Sequence, residues 1–158
     1  MSEFIFNAEG ERDTDRLGAI LAAALPTSAT IALCGTLGAG KTRLVQAIAA
    51  ACGIPREEVV SPTFVLCHEY HGSRTIYHLD AYRLASAGEL LALGIDEYFA
   101  ADALTIIEWA DRITPALPAD HLQIDIDITG ESSRRFTITS PGSQFAKVIA
   151  TLQNASDK

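Results

Sequence analysis

An α/β fold is predicted by three features of this sequence. The run TIALC at residues 30–34 leads through glycines into Leu44, Val45, Ile48, Ala49 and Cys52, which recur at helical spacing, so strand, loop and helix follow in succession. Residues 103–108 (ALTIIE) are almost wholly apolar until the terminal carboxylate, the pattern of a strand covered on both faces. Two further pairs of runs flank turns at Gly72 and Ser73 and at Gly130, and have the composition of hairpins.

Taken in order, residues 4–7 open the chain as a short strand. Thr14 is expected to cap a helix that carries Leu17, Ile20 and Leu21 to Leu25, where Pro26 ends it. After the strand at 30–34, a helix starts near Lys41, and Gly53 followed by Pro55 stops it. Residues 64–71 and 75–80 read as antiparallel strands. Residues 90–98 are interrupted by Gly94 and predict short helical pieces. Beyond Pro115 and Pro118, residues 122–129 and 134–139 alternate apolar and polar side chains, and a last helix is expected over 143–152. Neither repeat nor linker interrupts residues 1–158, which read as one domain.

Composition narrows the function classes. With 48% hydrophobic and 20% charged residues, a chain of 158 residues can bury one core without disulfides or metals. Cys34, Cys52 and Cys67 are odd in number and form no CxxC pair, so they read as reduced thiols. No apolar run approaches the ~20 residues that span a bilayer. The acidic start through Glu3, Glu9, Glu11, Asp13 and Asp15 lacks the layout of a secretory signal, which predicts a cytoplasmic protein. A net charge of −8 repels a phosphate backbone, so DNA is not an expected partner and any RNA should be held by another chain.

Residues 35–42 read GTLGAGKT and satisfy GxxxxGK[ST] at Gly35, Gly40, Lys41 and Thr42. A loop that wraps phosphate in successive backbone N–H groups has to turn tightly and approach closely, which glycines permit. Lys41 supplies a point charge and the Thr42 hydroxyl a ligand for Mg²⁺, while the helix N-terminus adds partial positive charge. The candidate nucleotide-binding residues are therefore Thr36, Leu37, Gly38, Ala39, Gly40, Lys41, Thr42 and Arg43, joined by Trp109. The spacing is not GxGxxG, so a dinucleotide fold is disfavoured.

Such a loop leaves Mg²⁺ short of one protein ligand, an acid at the C-terminal end of a neighbouring strand. Glu108 ends an apolar strand and is the cleaner candidate; Asp80 ends the more polar TIYHLD. One can hold the metal while the other orients or deprotonates an attacking water. Alternation puts Ile76, His78, Asp80 and Tyr82 on one face, so His78 and Asp80 are expected to pair near the phosphates. His68 and His71 point to opposite faces and, with His78 and His121, do not predict a metal cluster. Trp109 fits a core position or a stacking surface; Arg83 and Arg112 lie near enough to an acid to assist phosphate binding.

Four motifs in order, GTLGAGKT, SPTF at 61–64, YHLDAYRL at 77–84 and IEW at 107–109, closely resemble the bacterial P-loop ATPase subunit of the tRNA threonylcarbamoyladenosine biosynthesis complex. The resemblance covers residues 30–112. It implies a three-layer P-loop NTPase-like α/β fold with a central mixed sheet, and ATP with Mg²⁺ as ligands. It further implies that Thr42 and Glu108 hold the metal, that Asp80 acts near the γ-phosphate, that 61–63 form a switch-like segment and that Trp109 matters for function. The partners implied are two subunits of glycoprotease-like fold, one of which modifies the adenine beside the tRNA anticodon; this chain would remodel or reset them and meet tRNA only through them. Thr36 and Arg43 depart from the commoner Asp and Thr.

Three other readings compete. A small-molecule kinase needs an acceptor pocket and an arginine-bearing lid, and no convincing lid is found. A regulatory GTPase would carry NKxD, and although Asp127 to Gly130 spells DxxG, NKxD is absent. A nucleotide-sensing module that hydrolyses nothing would share the loop.

Overall fold

The computed structural model describes residues 2–62 and 66–156. Its elements run β1 (Ser2–Ala8), α1 (Glu11–Ala24), β2 (Ala29–Gly35), α2 (Lys41–Ala51), β3 (Cys67–His71), β4 (Thr75–Asp80), α3 (Ala87–Ala92), α4 (Ile95–Ala100), β5 (Leu104–Glu108), β6 (Leu122–Ile128), β7 (Arg134–Ser140) and α5 (Ala146–Ser156), with 3-10 turns at Arg56–Glu58 and Ala110–Ala116. The strands form one seven-stranded sheet in the order β1-β7-β6-β2-β5-β4-β3. β6, β2, β5 and β4 are mutually parallel, while β7, β1 and β3 join antiparallel. The sheet is therefore mixed, with its parallel strands at the centre.

Alternation along the central strands explains the layers. Ile31, Leu33, Leu104 and Ile106 face a core completed by Leu17 and Leu21 of α1, Leu44 and Ile48 of α2, and Val148 and Leu152 of α5. Ala32, Cys34 and Ile107 face a second core with Leu90 of α3, Ile95 of α4 and Ile113. Residues 29–34 of β2 are all buried, as a strand covered on both faces requires. Helices on either side of one sheet make the three-layer α/β fold. Among the described residues no helix is long and apolar enough to cross a membrane.

Several boundaries differ from the sequence reading for local reasons. Thr14 is not a cap: α1 begins at Glu11 after Gly10, and Thr14 is buried within it. The Asp13 carboxylate instead accepts the Glu9 N–H at 2.9 Å, and the Gly10 carbonyl accepts the amides of Asp13 and Thr14. At the far end of α1, Arg74 from the β3–β4 turn donates to the carbonyls of Ala22, Leu25 and Pro26. The last helix begins and ends later than 143–152, with Phe145 buried just ahead of it. The strand expected over 64–71 runs from Cys67: Leu66 takes a left-handed φ of 74°, and Phe64 and Val65 lie outside the described residues. The 3-10 segment after β5 was not anticipated; Pro115 sits within it.

Two consequences can be tested. A Cβ on Gly18 would stand 2.5 Å from Ala47 Cβ and 2.7 Å from its carbonyl carbon, so α1 and α2 approach to backbone contact there. Gly18→Val should lower unfolding free energy by about 1–3 kcal/mol in urea titration, the range for overpacking; an unchanged midpoint would contradict that contact. All three cysteines are free, and burial, then Asp125 and Asp111, pushes the Cys34 thiol up to about 11. Cys34 should therefore stay protonated and resist iodoacetamide at pH 8 in the folded protein, reacting only in denaturant.

Candidate functional site

The site lies at the carboxyl ends of the central parallel strands, where open α/β sheets bind ligands. β2 delivers Gly35, and Leu33 of β2 stands opposite Glu108 of β5, which stands opposite Asp80 of β4. Register alone thus brings two acids to the edge from which the glycine loop leaves. Within the loop, Gly38 and Gly40 have φ of 80° and 110°, which a side chain would oppose. Gly40 then opens α2, whose first residues are Lys41 and Thr42.

Lys41 is 5% exposed, and its ammonium donates to the carbonyls of Gly35 at 2.7 Å and Thr36 at 3.0 Å. It also lies 3.8 Å from the centroid of the Trp109 ring, a cation–π contact in a desolvated setting. Burial holds the Lys41 pKa below its ordinary value, against the pull of Glu108, Asp111 and Asp80. One turn edge away, the Thr42 hydroxyl donates to the Glu108 carboxylate, with oxygens at 3.0 and 2.8 Å. His78 Nε2 meets Glu108 Oε2 at 2.5 Å.

Asp80 is 3% exposed and held from two sides. Its Oδ2 accepts the Ser61 hydroxyl at 2.9 Å, and its Oδ1 accepts the Tyr82 N–H at 2.8 Å. Trp109 takes a left-handed φ of 59°, unusual for a large side chain, and this turn aims the indole over Lys41 rather than along β5. Tyr82 packs against it at 4.9 Å between centroids, and the Arg112 guanidinium lies over Tyr82 at 5.1 Å.

A cavity of about 390 Å³ is lined by Leu37, Gly38, Lys41, Thr42, Ser61, Asp80, Tyr82, Glu108 and Trp109. Seven of the candidate nucleotide, metal and catalytic residues, Leu37, Gly38, Lys41, Thr42, Asp80, Glu108 and Trp109, thus meet in one space. Gly40 and Arg43 line a second cavity of about 420 Å³ across the loop, along with buried Ala39. Arg43 faces α1 there, pairing with Asp15 at 2.7 Å and Glu11 at 3.6 Å. Thr36 lies apart, beside Asp111, Asp125 and Asp127. The expected pairing of His78 with Asp80 is replaced by the contact between His78 and Glu108 on the adjoining strand. His121 bonds the Pro118 carbonyl at 2.8 Å, away from the loop.

Sequence reasoning missed Arg134. Its Nε donates to the Ala39 carbonyl at 3.0 Å and so braces the loop from β7. Nothing in the local pattern marks it, because the two residues stand 95 positions apart.

Comparison with known proteins finds one family. The profile of a family described as threonylcarbamoyl adenosine biosynthesis protein TsaE matches residues 8–136. The chain is 36% identical over 127 residues to the tRNA threonylcarbamoyladenosine biosynthesis protein TsaE of Treponema pallidum, covering 80% of this chain and 93% of that one. It is 35% identical over 153 residues to the protein of the same name from Bacillus subtilis, covering 96% and 95%. The crystal structure of YdiB from Bacillus subtilis superposes with a TM-score of 0.83 at 29% identity, covering 98% of this chain and 97% of the other. A phosphate-loop strand and helix, two in-register acids and a likeness running nearly end to end lead to one conclusion: the chain belongs to the TsaE family of tRNA threonylcarbamoyladenosine biosynthesis proteins.

Proposed function

We propose that this chain binds ATP with Mg²⁺ in the cavity bounded by Lys41, Thr42, Asp80 and Glu108. It hydrolyses ATP slowly alone and serves threonylcarbamoyladenosine formation on tRNA by remodelling or resetting two partner subunits of glycoprotease-like fold in the cytoplasm. The observation that carries this reading is the Thr42 hydroxyl against the Glu108 carboxylate at the start of α2, with Lys41 and Asp80 lining the same cavity.

The donor set suits the metal. A hydroxyl and a carboxylate are hard oxygen ligands, and Mg²⁺ prefers one or two such protein groups together with water and phosphate oxygens. Thr42 and Glu108 would hold the Mg²⁺, which would supply positive charge against the triphosphate. The chain's own groups do the remainder. The amides of residues 38–42 and the partial charge of the α2 N-terminus bind the phosphates. Lys41 exchanges its carbonyl partners for phosphate oxygens and stabilises charge that grows in the transition state. Asp80, fixed by Ser61 and the Tyr82 amide, orients a water toward the γ-phosphorus and accepts its proton. Trp109 and Tyr82 wall the cavity against bulk solvent. A net charge of −8 leaves tRNA to the partner subunits.

Labelled ATP incubated with the chain, alone and with the two partners and tRNA, tests this. Inorganic phosphate should form slowly in isolation, and modified tRNA only when ATP and both partners are present; a phosphorylated metabolite as the main product would favour a kinase. Lys41→Ala should weaken ATP binding. Glu108→Ala and Asp80→Ala should each lower turnover by roughly 10²-fold or more, the scale of lost transition-state stabilisation. Unchanged turnover in both acid variants would overturn these roles.

A further inference from the structure

Behind Glu108 runs a buried polar chain that the proposed hydrolysis does not use. His78 is fully buried on β4, with Nε2 at 2.5 Å from Glu108 Oε2 and Nδ1 at 3.1 Å from the Tyr70 hydroxyl. Tyr70, on β3 and 6% exposed, has its hydroxyl 3.4 Å from the Val60 carbonyl and 3.3 Å from His68 Nδ1. A carboxylate only accepts, so His78 donates from Nε2; in the neutral ring Nδ1 is then an acceptor, and Tyr70 donates to it. Tyr70 has one O–H, so with that proton on His78 the 3.4 Å approach of its oxygen to the Val60 carbonyl is a contact and not a second full donation.

We propose that His78 and Tyr70 are positioning residues that orient the Glu108 carboxylate toward the Thr42 side of the cavity. The proposal rests on the nucleotide reading above and adds to it a second layer of groups that set how well Glu108 serves a divalent cation. Three observations support it. The Thr42 hydroxyl lies within reach of both Glu108 oxygens, 3.0 Å from Oε1 and 2.8 Å from Oε2, and His78 Nε2 meets Oε2 from behind, so two groups on different elements hold the carboxylate. His78 reaches it because β4 and β5 are parallel neighbours in which His78 stands opposite Ile106 and Asp80 opposite Glu108, so the imidazole sits one pleat behind the acid. Tyr70 then fixes the ring from β3, where its aromatic face also packs on His78 at 5.9 Å between centroids. A hydrogen-bonded partner of this kind typically governs metal affinity without touching the metal.

The alternative is a histidine buried and satisfied for packing alone. That role would move stability but not the demand for cation. The test is binding of a fluorescent ADP analogue to the full chain, titrated with MgCl₂ and repeated in EDTA, with melting temperatures alongside. His78→Leu should raise the Mg²⁺ concentration at half-effect about 10-fold or more, while binding in EDTA stays within about twofold. His78→Gln, which keeps an N–H where Nε2 stands, should recover most of that loss. Tyr70→Phe, which removes one hydroxyl and retains the ring, should raise the half-effect concentration about threefold or more, and carries the test if His78→Leu does not fold. An unchanged Mg²⁺ requirement in His78→Leu and Tyr70→Phe, or equal losses with and without Mg²⁺, would overturn the relay while leaving the nucleotide site standing. Absence of any nucleotide binding by the unaltered chain would sink the nucleotide reading itself, and binding without any Mg²⁺ effect would sink its metal; either result takes the relay with it.

Discussion

The parallel alignment of β2, β5 and β4 is the constraint on which the rest of the site depends. Because these strands run the same way and in register, their carboxyl ends bring Gly35, Glu108 and Asp80 to one edge. The glycine loop then has to turn into α2 above that edge, which sets Thr42 within 3.0 Å of Glu108. A shift of one residue in either register would turn the acids toward the opposite layer of the sheet. The two apolar cores matter to function mainly by fixing this alignment.

That arrangement collects charge where water is scarce. Lys41, Asp80 and Glu108 are each 5% exposed or less, and an ionised group so placed is costly unless its polar partners are complete. Each has them: loop carbonyls and an indole face for Lys41, a hydroxyl and an amide for Asp80, Thr42 and His78 for Glu108. The polar groups of the cluster thus satisfy one another within the chain. Trp109 closes the cluster with a left-handed backbone, a conformation found where the surroundings impose it.

What the sequence made legible was local in origin. The glycine loop is contiguous, so its spacing, the strand before it and the helix after it could be read from eight residues and their flanks. Glu108 could be placed at a strand end because an apolar run that stops at a carboxylate signals its own boundary; Asp80, ending the more polar TIYHLD, is marked less sharply. Partners across space could not be read. His78 and Asp80 share a face, as alternation predicts, yet the identity of the strand lying alongside decides that His78 meets Glu108. Arg43 sits within the expected phosphate set but turns to the acids of α1, and Arg134 reaches the loop from the far side of the chain. Thr14 had the right chemistry for a cap and lost to Asp13 and Gly10, whose groups met the same need one turn earlier. The motif SPTF was visible as letters, but Thr63 and Phe64 lie outside the described residues.

The central claim is that these groups form a site for an adenine nucleotide and its metal. Isothermal titration calorimetry with a non-hydrolysable ATP analogue, run in Mg²⁺ and in EDTA, measures it most directly. The account predicts saturable uptake at one site per chain, tightened by Mg²⁺. No heat of binding under either condition, from folded protein alone or mixed with its partner subunits, would contradict it.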